Sequence, residues 1–295
     1  MNRRDFIQAT AIAATAATAN FSMTQAAEKI KGLSWPVGCM NRPWSNWPHN
    51  VGFEGIKAAG YKWMGLISPS KDEPIIASDA TPEYLENLKR KIAALGLIAN
   101  MGALRTNPAV PLADSIKDTR NQINHAKFLS LQFLLTFGVD KPEHYEDYYR
   151  LMADAAAYSQ ERGLKLVLKP HGGASSAAEE IRRCIEKVNH SNFKVWYDAG
   201  NIIHYTGKDP VEQLKPIAQH VTGFCAKDCA RQGGDVMIQF GAGKVDFKAV
   251  FSELKRAGFN GPVMVECCKS GDKPEEVTAN VRANREFLEK LFVEL

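Results

Sequence analysis

The stretch Gly163-Leu-Lys-Leu-Val-Leu-Lys-Pro-His-Gly-Gly173 decides the fold. It follows a segment, Glu143–Glu161, whose apolar residues recur at helical spacing. Gly163 stands where a helix end takes a left-handed residue, with an apolar residue next in line. Leu164, Leu166 and Leu168 then share one face of a strand, and Val167, Lys169 and His171 share the other. A strand this apolar is buried on both sides, as in a parallel sheet covered by helices. Helix, glycine stop and buried strand together make one repeat of an α/β fold.

The repeat extends in both directions. Strand-length apolar runs occur at Leu33–Met40, Tyr61–Ser68, Leu97–Gly102, Leu131–Gly138, Leu164–His171, Phe193–Asp198, Val221–Asp228 and Pro262–Cys268. Gly60-Tyr61, Gly96-Leu97 and Gly258-Phe259 repeat the helix stop. Thr81-Pro82, Ser176 with Glu179, and Asp209-Pro210 with Glu212 read as helix starts. Eight strand–helix units over residues 28–295 predict one domain, a single (β/α)8 barrel, which typically needs about 250 residues. A doubly wound sheet would place a Gly-x-Gly-x-x-Gly after the first strand, and none is there. The connection between Asp228 and Phe247 is long and glycine-rich, which predicts a lid or binding loop.

Composition narrows the function. The chain is 45% hydrophobic and 24% charged, which excludes a disordered or collagenous protein. Its net charge of +4 is spread without basic blocks, which argues against a nucleic-acid binder. Six cysteines are too few for a disulfide scaffold, and no apolar run is long enough for stable membrane insertion. At the N-terminus, Arg3-Arg4 precede a weakly apolar Ala/Thr-rich segment, with small-residue cleavage sites near Ala19 and Ala26. Residues 1–27 therefore read as a twin-arginine signal peptide, with periplasmic location and the twin-arginine export machinery as a partner. An amphipathic N-terminal helix is the plain alternative.

In a parallel barrel the chemistry gathers at the C-terminal ends of the strands. Period-2 alternation turns Lys169 and His171, Trp196 and Asp198, Cys225 and Lys227, and Met264, Glu266 and Cys268 inward. Charges ending buried strands must be hydrated, paired or metal-bound, because isolated burial is very unfavourable. One reading is a plug of salt bridges, Asp198 with Lys227 and Glu266 with Lys169. Cys39, Cys225 and Cys268 end neighbouring strands, and the commoner role for such residues is core packing rather than a zinc cluster.

Lys169-Pro-His-Gly-Gly173, Trp196-Tyr-Asp-Ala-Gly-Asn201, Ala226-Lys-Asp228, Gly241-Ala-Gly-Lys-Val-Asp-Phe247 and Gly261-Pro-Val-Met-Val-Glu266 carry a family resemblance. In these segments the chain resembles the xylose-isomerase-like superfamily of TIM barrels, sugar isomerases and epimerases together with apurinic-site endonucleases. The resemblance implies a divalent metal (Mn2+, Mg2+ or Zn2+) held by Glu, Asp, His and Glu on strands five to eight. Asp198 and Glu266 match two of these positions, while Lys169 and Cys225 stand at the other two. His171 is the expected replacement, giving a ligand set of His171, Asp198 and Glu266. The nucleic-acid branch needs histidines on early strands, where this chain has Ser68, Asn100 and Gly102.

The expected activity is a divalent-metal-dependent isomerase or epimerase that takes a proton next to the carbonyl of a sugar or keto-sugar. Glu266 would be the base, Lys169 or Lys227 the oxyanion partner and His171 a second proton carrier. Asn201, Arg42, Trp44 and Asp228 complete the set as substrate-binding residues. A lyase or hydratase acting on an oxidised (3-keto) glycoside is the alternative, and a non-catalytic periplasmic sugar-binding barrel is the other class. A homo-oligomer is compatible with either.

Overall fold

The structure, a computed structural model, describes residues 35–68 and 73–295. The segment read as a signal peptide, residues 1–27, lies outside the described residues, as does the beginning of the run from Leu33. Eight parallel strands close in chain order into one barrel. They are β1 (Val37–Met40), β2 (Trp63–Leu66), β3 (Ile98–Ala103), β4 (Phe133–Thr136), β5 (Lys165–Leu168), β6 (Phe193–Tyr197), β7 (Val221–Ala226) and β8 (Val263–Val265). Closure is made by β1 and β8, with Gly38 opposite Met264. Around them lie α1 (His49–Ala58), α2 (Pro82–Ala94), α3 (Leu112–Phe128), α4 (Tyr145–Glu161), α5 (Ala178–Val188), α6 (Ala199–Thr206), α7 (Pro210–Leu214), α8 (Phe247–Arg256) and α9 (Pro274–Val293). The expected single barrel is the observed one. No described helix is long and apolar enough to cross a membrane.

The alternation read from the sequence sorts the core into two layers. Leu164, Leu166 and Leu168 pack outward against the helices, each contributing roughly 1.5–3 kcal/mol by burial. Val167, Trp196, Cys225 and Met264 fill the barrel interior with Met40, Met101, Phe133 and Leu135. The six cysteines are free and buried. Cys39 and Cys268 belong to the outer layer and Cys225 to the inner one, so they form no thiol cluster. Cys268 leaves its expected inward place because β8 ends at Val265, after which the pleat no longer sets direction.

Local signals mostly hold. At the end of α4, Gly163 has φ 72°, and Leu164 N–H donates back to Ser159 O at 2.9 Å. This is the left-handed helix stop that favours glycine. Thr81 Oγ1 accepts from Tyr84 N at 3.2 Å, and Asp209 Oδ1 from Val211 N at 2.7 Å. Ser176 does not cap α5. The Gln213 side chain, from the adjacent α7, accepts from Ala178 N at 3.1 Å and takes over that role.

Candidate active site

Four charged side chains sit at the first positions past consecutive strands, where the backbone ladder still fixes them. Lys169 N–H donates to Thr136 O, and Glu266 N–H to Ala226 O, both at 2.9 Å. Asp198 divides its carboxylate. Oδ1 caps α6 through Asn201 N at 2.8 Å, and Oδ2 faces the barrel centre. Lys227 packs against Gly200, where a Cβ would stand 2.5 Å from Lys227 Cγ. All four are at most 1% exposed.

At the centre the charges meet. Lys169 Nζ lies 2.8 Å from Glu266 Oε1, 2.7 Å from Glu266 Oε2 and 3.1 Å from Asp198 Oδ2. Lys227 Nζ lies 2.8 Å from Glu266 Oε1 and 3.4 Å from Asp198 Oδ2. Arg42, on the turn Arg42–Trp44 after β1, donates from Nη1 to the same Glu266 Oε1 at 2.8 Å. The salt-bridge plug is therefore present, with Arg42 added and with both lysines touching both carboxylates. Glu266 Oε2 and Asp198 Oδ2 nevertheless receive no well-angled hydrogen bond, although ammonium groups stand close by. They remain buried acceptors with unused directional capacity.

The fields follow from this packing. Burial alone would raise the Glu266 pKa, but Lys169, Lys227 and Arg42 together hold it well below the usual carboxylate range. Burial opposes the charge of Lys227, yet Asp198 and Glu266 keep its pKa above the ordinary value. Burial pushes the Cys225 thiol well up, so it is protonated at neutral pH. His171 is pushed down to about 3, by burial first and then by Lys169 and Lys227. It is a neutral imidazole at any ordinary pH.

Ligand atoms of Asp198, Cys225 and Glu266 lie within 4.8 Å of one another, the only such group among the described residues. Two ammonium groups already stand between the carboxylates, and the thiol is protonated. A divalent ion there would face Lys169 and Lys227 at contact distance. These residues do not fit one.

His171 is not part of that donor group. Pro170 follows the end of β5, the alternation lapses, and the ring turns toward α6, where both ring nitrogens lie 3.1–3.2 Å from Tyr205 Oη. Phe137 flanks the ring at 5.1 Å. Three expected substrate contacts are also placed otherwise. The Trp44 indole is buried against Gly52 and Gly55 of α1. Asn201 donates from its amide to Pro170 O at 2.6 Å, which ties α6 to the β5 end. Asp228 accepts from Cys229 N and Val245 N on one oxygen and from Gly241 N and Gly243 N on the other, at 2.8–3.1 Å. That fills the carboxylate's four acceptor sites and makes the long loop a pinned one rather than a free lid. Tyr205 and Phe137 were not anticipated. Tyr205 was findable: it lies four residues after Asn201 on the same face of α6.

The comparisons agree with this architecture. Residues 53–291 match the family model of the xylose isomerase-like TIM barrel. The chain is 31% identical over 129 residues to an inosose dehydratase of Geobacillus kaustophilus, covering 38% of this chain and 42% of that enzyme's length. It is 24% identical over 260 residues to an L-ribulose-5-phosphate 3-epimerase of Salmonella heidelberg, covering 78% of this chain and 91% of the epimerase. A solved xylose isomerase-like TIM barrel protein of Mycobacterium smegmatis, in complex with magnesium, superposes with a TM-score of 0.71 at 14% identity over 88% of this chain and 97% of its own. With residues 53–291, most of its length, matched to the family model, the chain belongs to the xylose isomerase-like TIM barrel family.

Proposed function

We propose that the protein is an enzyme of the sugar isomerase and epimerase class, removing a proton next to the carbonyl of a sugar or keto-sugar. The observation that carries the reading is the buried Glu266 carboxylate with Lys169 Nζ and Lys227 Nζ both at 2.8 Å. A carboxylate takes the proton, and the two ammonium groups hold the oxygen on which charge develops. The unused acceptor directions of Asp198 Oδ2 and Glu266 Oε2 suit sugar hydroxyl donors. Half-buried His171 and Tyr205 form a neutral proton-carrying pair at the rim. The epimerase and dehydratase relatives support this class. A second reading, elimination by a lyase, is favoured by that same pair, since a neutral donor at the rim suits a departing hydroxyl.

Incubation with a panel of keto-sugars in D2O tests both. Deuterium wash-in with a new sugar stereoisomer supports isomerisation, and an enone absorbance supports elimination. Absence of any exchange would leave a binding barrel. Because ammonium groups stand where a cation would go, dialysis against EDTA is expected to leave turnover unchanged. Activity lost on chelation and restored by Mn2+ would contradict this.

We also propose periplasmic location through the twin-arginine route, on the strength of Arg3-Arg4. A reporter carrying residues 1–30 is expected to leave the cytoplasm and to stay there when Arg3-Arg4 become Lys-Lys. Export of the double variant at the wild-type level would refute it.

A further inference from the structure

We propose that the Arg42 guanidinium is an anion anchor, and that the ligand of this barrel is a sugar bearing an oxyanion, a carboxylate or a phosphate ester. The inference rests on the carbohydrate reading above and narrows its substrate class.

Glu266 Oε1 is over-supplied. Lys169, Lys227 and Arg42 each reach it at 2.8 Å, whereas one carboxylate oxygen offers about two lone-pair sites. The lysines are buried, and Arg42 is the donor with an open side, its side chain 32% exposed. Among the described residues, only its Nη1 is engaged, by Glu266. The remaining edge of the guanidinium is a planar fork of the kind that binds carboxylate and phosphate oxygens in pairs. Buried Trp44, on the same turn, fixes the base of the arm.

Charge counting points the same way. Three cations contact two carboxylates, and Arg105 adds further positive field at Glu266, so the site carries an excess of positive charge. Asp228 does not balance it, because its carboxylate is turned to the backbone N–H groups of the long loop. Neutral His171 adds nothing. Moving a proton from a neutral substrate to Glu266 conserves the total charge of the site, so the excess would persist through every step. A negatively charged ligand offsets it. Such a ligand would also draw Arg42 off Glu266, leaving the carboxylate with two ammonium partners and a greater affinity for a proton. Binding of the correct ligand thereby prepares the base.

Calorimetry on the purified protein tests this with D-glucuronate, D-galacturonate and glucose 6-phosphate against glucose and galactose. At least one anion should bind roughly 10- to 100-fold more tightly than its parent sugar. The advantage should vanish in Arg42→Gln, survive largely in Arg42→Lys and shrink in 0.5 M salt to a degree set by screening (roughly a Debye length of 4 Å there). Preference for the uronates names the carboxylate, and preference for glucose 6-phosphate names the phosphate. Equal binding of anion and parent, binding of none of the three anions, or an advantage that survives Arg42→Gln overturns the proposal. The two readings fail separately: deuterium wash-in on neutral keto-sugars with no anion preference removes only the anchor. Arg42-dependent anion binding without wash-in on any carbohydrate removes only the enzyme reading.

Discussion

Replacing Lys169 by Met is expected to lower stability by about 3–5 kcal/mol and turnover by about 10²–10³. Lys169 is the one group in contact with both oxygens of Glu266, and it also stands 3.1 Å from Asp198 Oδ2. Methionine keeps the length of the stem and removes the charge. Glu266 would retain Lys227 and Arg42. Asp198 Oδ2 would retain only Lys227, at 3.4 Å, and the Asp198 side chain is fully buried. A buried carboxylate deprived of its nearest cation is the circumstance in which breaking an ion pair is strongly unfavourable. In the proposed reaction the same ammonium is one of the two that would face a developing oxyanion, so a structural and a catalytic role are not alternatives here. Thermal melting and turnover per folded molecule separate the two losses. A variant that melts and turns over like the wild type would remove Lys169 from both roles.

Glu266→Gln acts on the opposite charge and is expected to lower turnover by about 10²–10⁴, the usual loss for a general base. It leaves Lys169, Lys227 and Arg42 around a neutral amide, with Asp198 as the remaining carboxylate. Arg42 can turn toward solvent through its open side, which places the stability loss nearer about 3 than 5 kcal/mol. The pH dependence has a fixed sign. Because the native carboxylate titrates below its ordinary value of 4.5, the stability it contributes is complete above the unfolded pKa of about 4.3. It is lost as the pH falls from there toward the native value. The wild type should exceed the variant by a constant margin from neutral pH to about 5, and the margin should close in more acid solution. His171, neutral in the folded state down to about pH 3, also makes acid unfavourable between roughly 6.5 and 3. It does so in both proteins, and only the smaller part that the Glu266 charge contributes, which raises the His171 pKa, differs between them. A margin that stays constant to pH 3 would mean that Glu266 is not held by these cations.

The barrel itself was legible in the sequence. Apolar runs, glycine stops such as Gly163-Leu164 and caps such as Asp209-Pro210 are local, and each is enforced by backbone geometry within a few residues. The pleat carried the reading inward as far as the strands last, so Val167, Trp196, Cys225 and Met264 fell on the correct side. One residue further, the backbone ladder still directed Lys169 and Glu266 into one centre. Beyond that the pleat ends and direction depends on what each side chain meets. His171 turns to Tyr205, Asp228 to the backbone of a loop as far along as Val245, Asn201 to Pro170, and Trp44 to the glycines of α1. The pairing of Arg42 with Glu266 spans 224 positions of chain and exists because β1 and β8 close the barrel. Whether the carboxylates would hold a metal or ammonium groups was likewise a tertiary matter. The sequence supplied both lysines, but only the packing of four strand ends brought their nitrogens to 2.7–3.4 Å from the oxygens a cation would need.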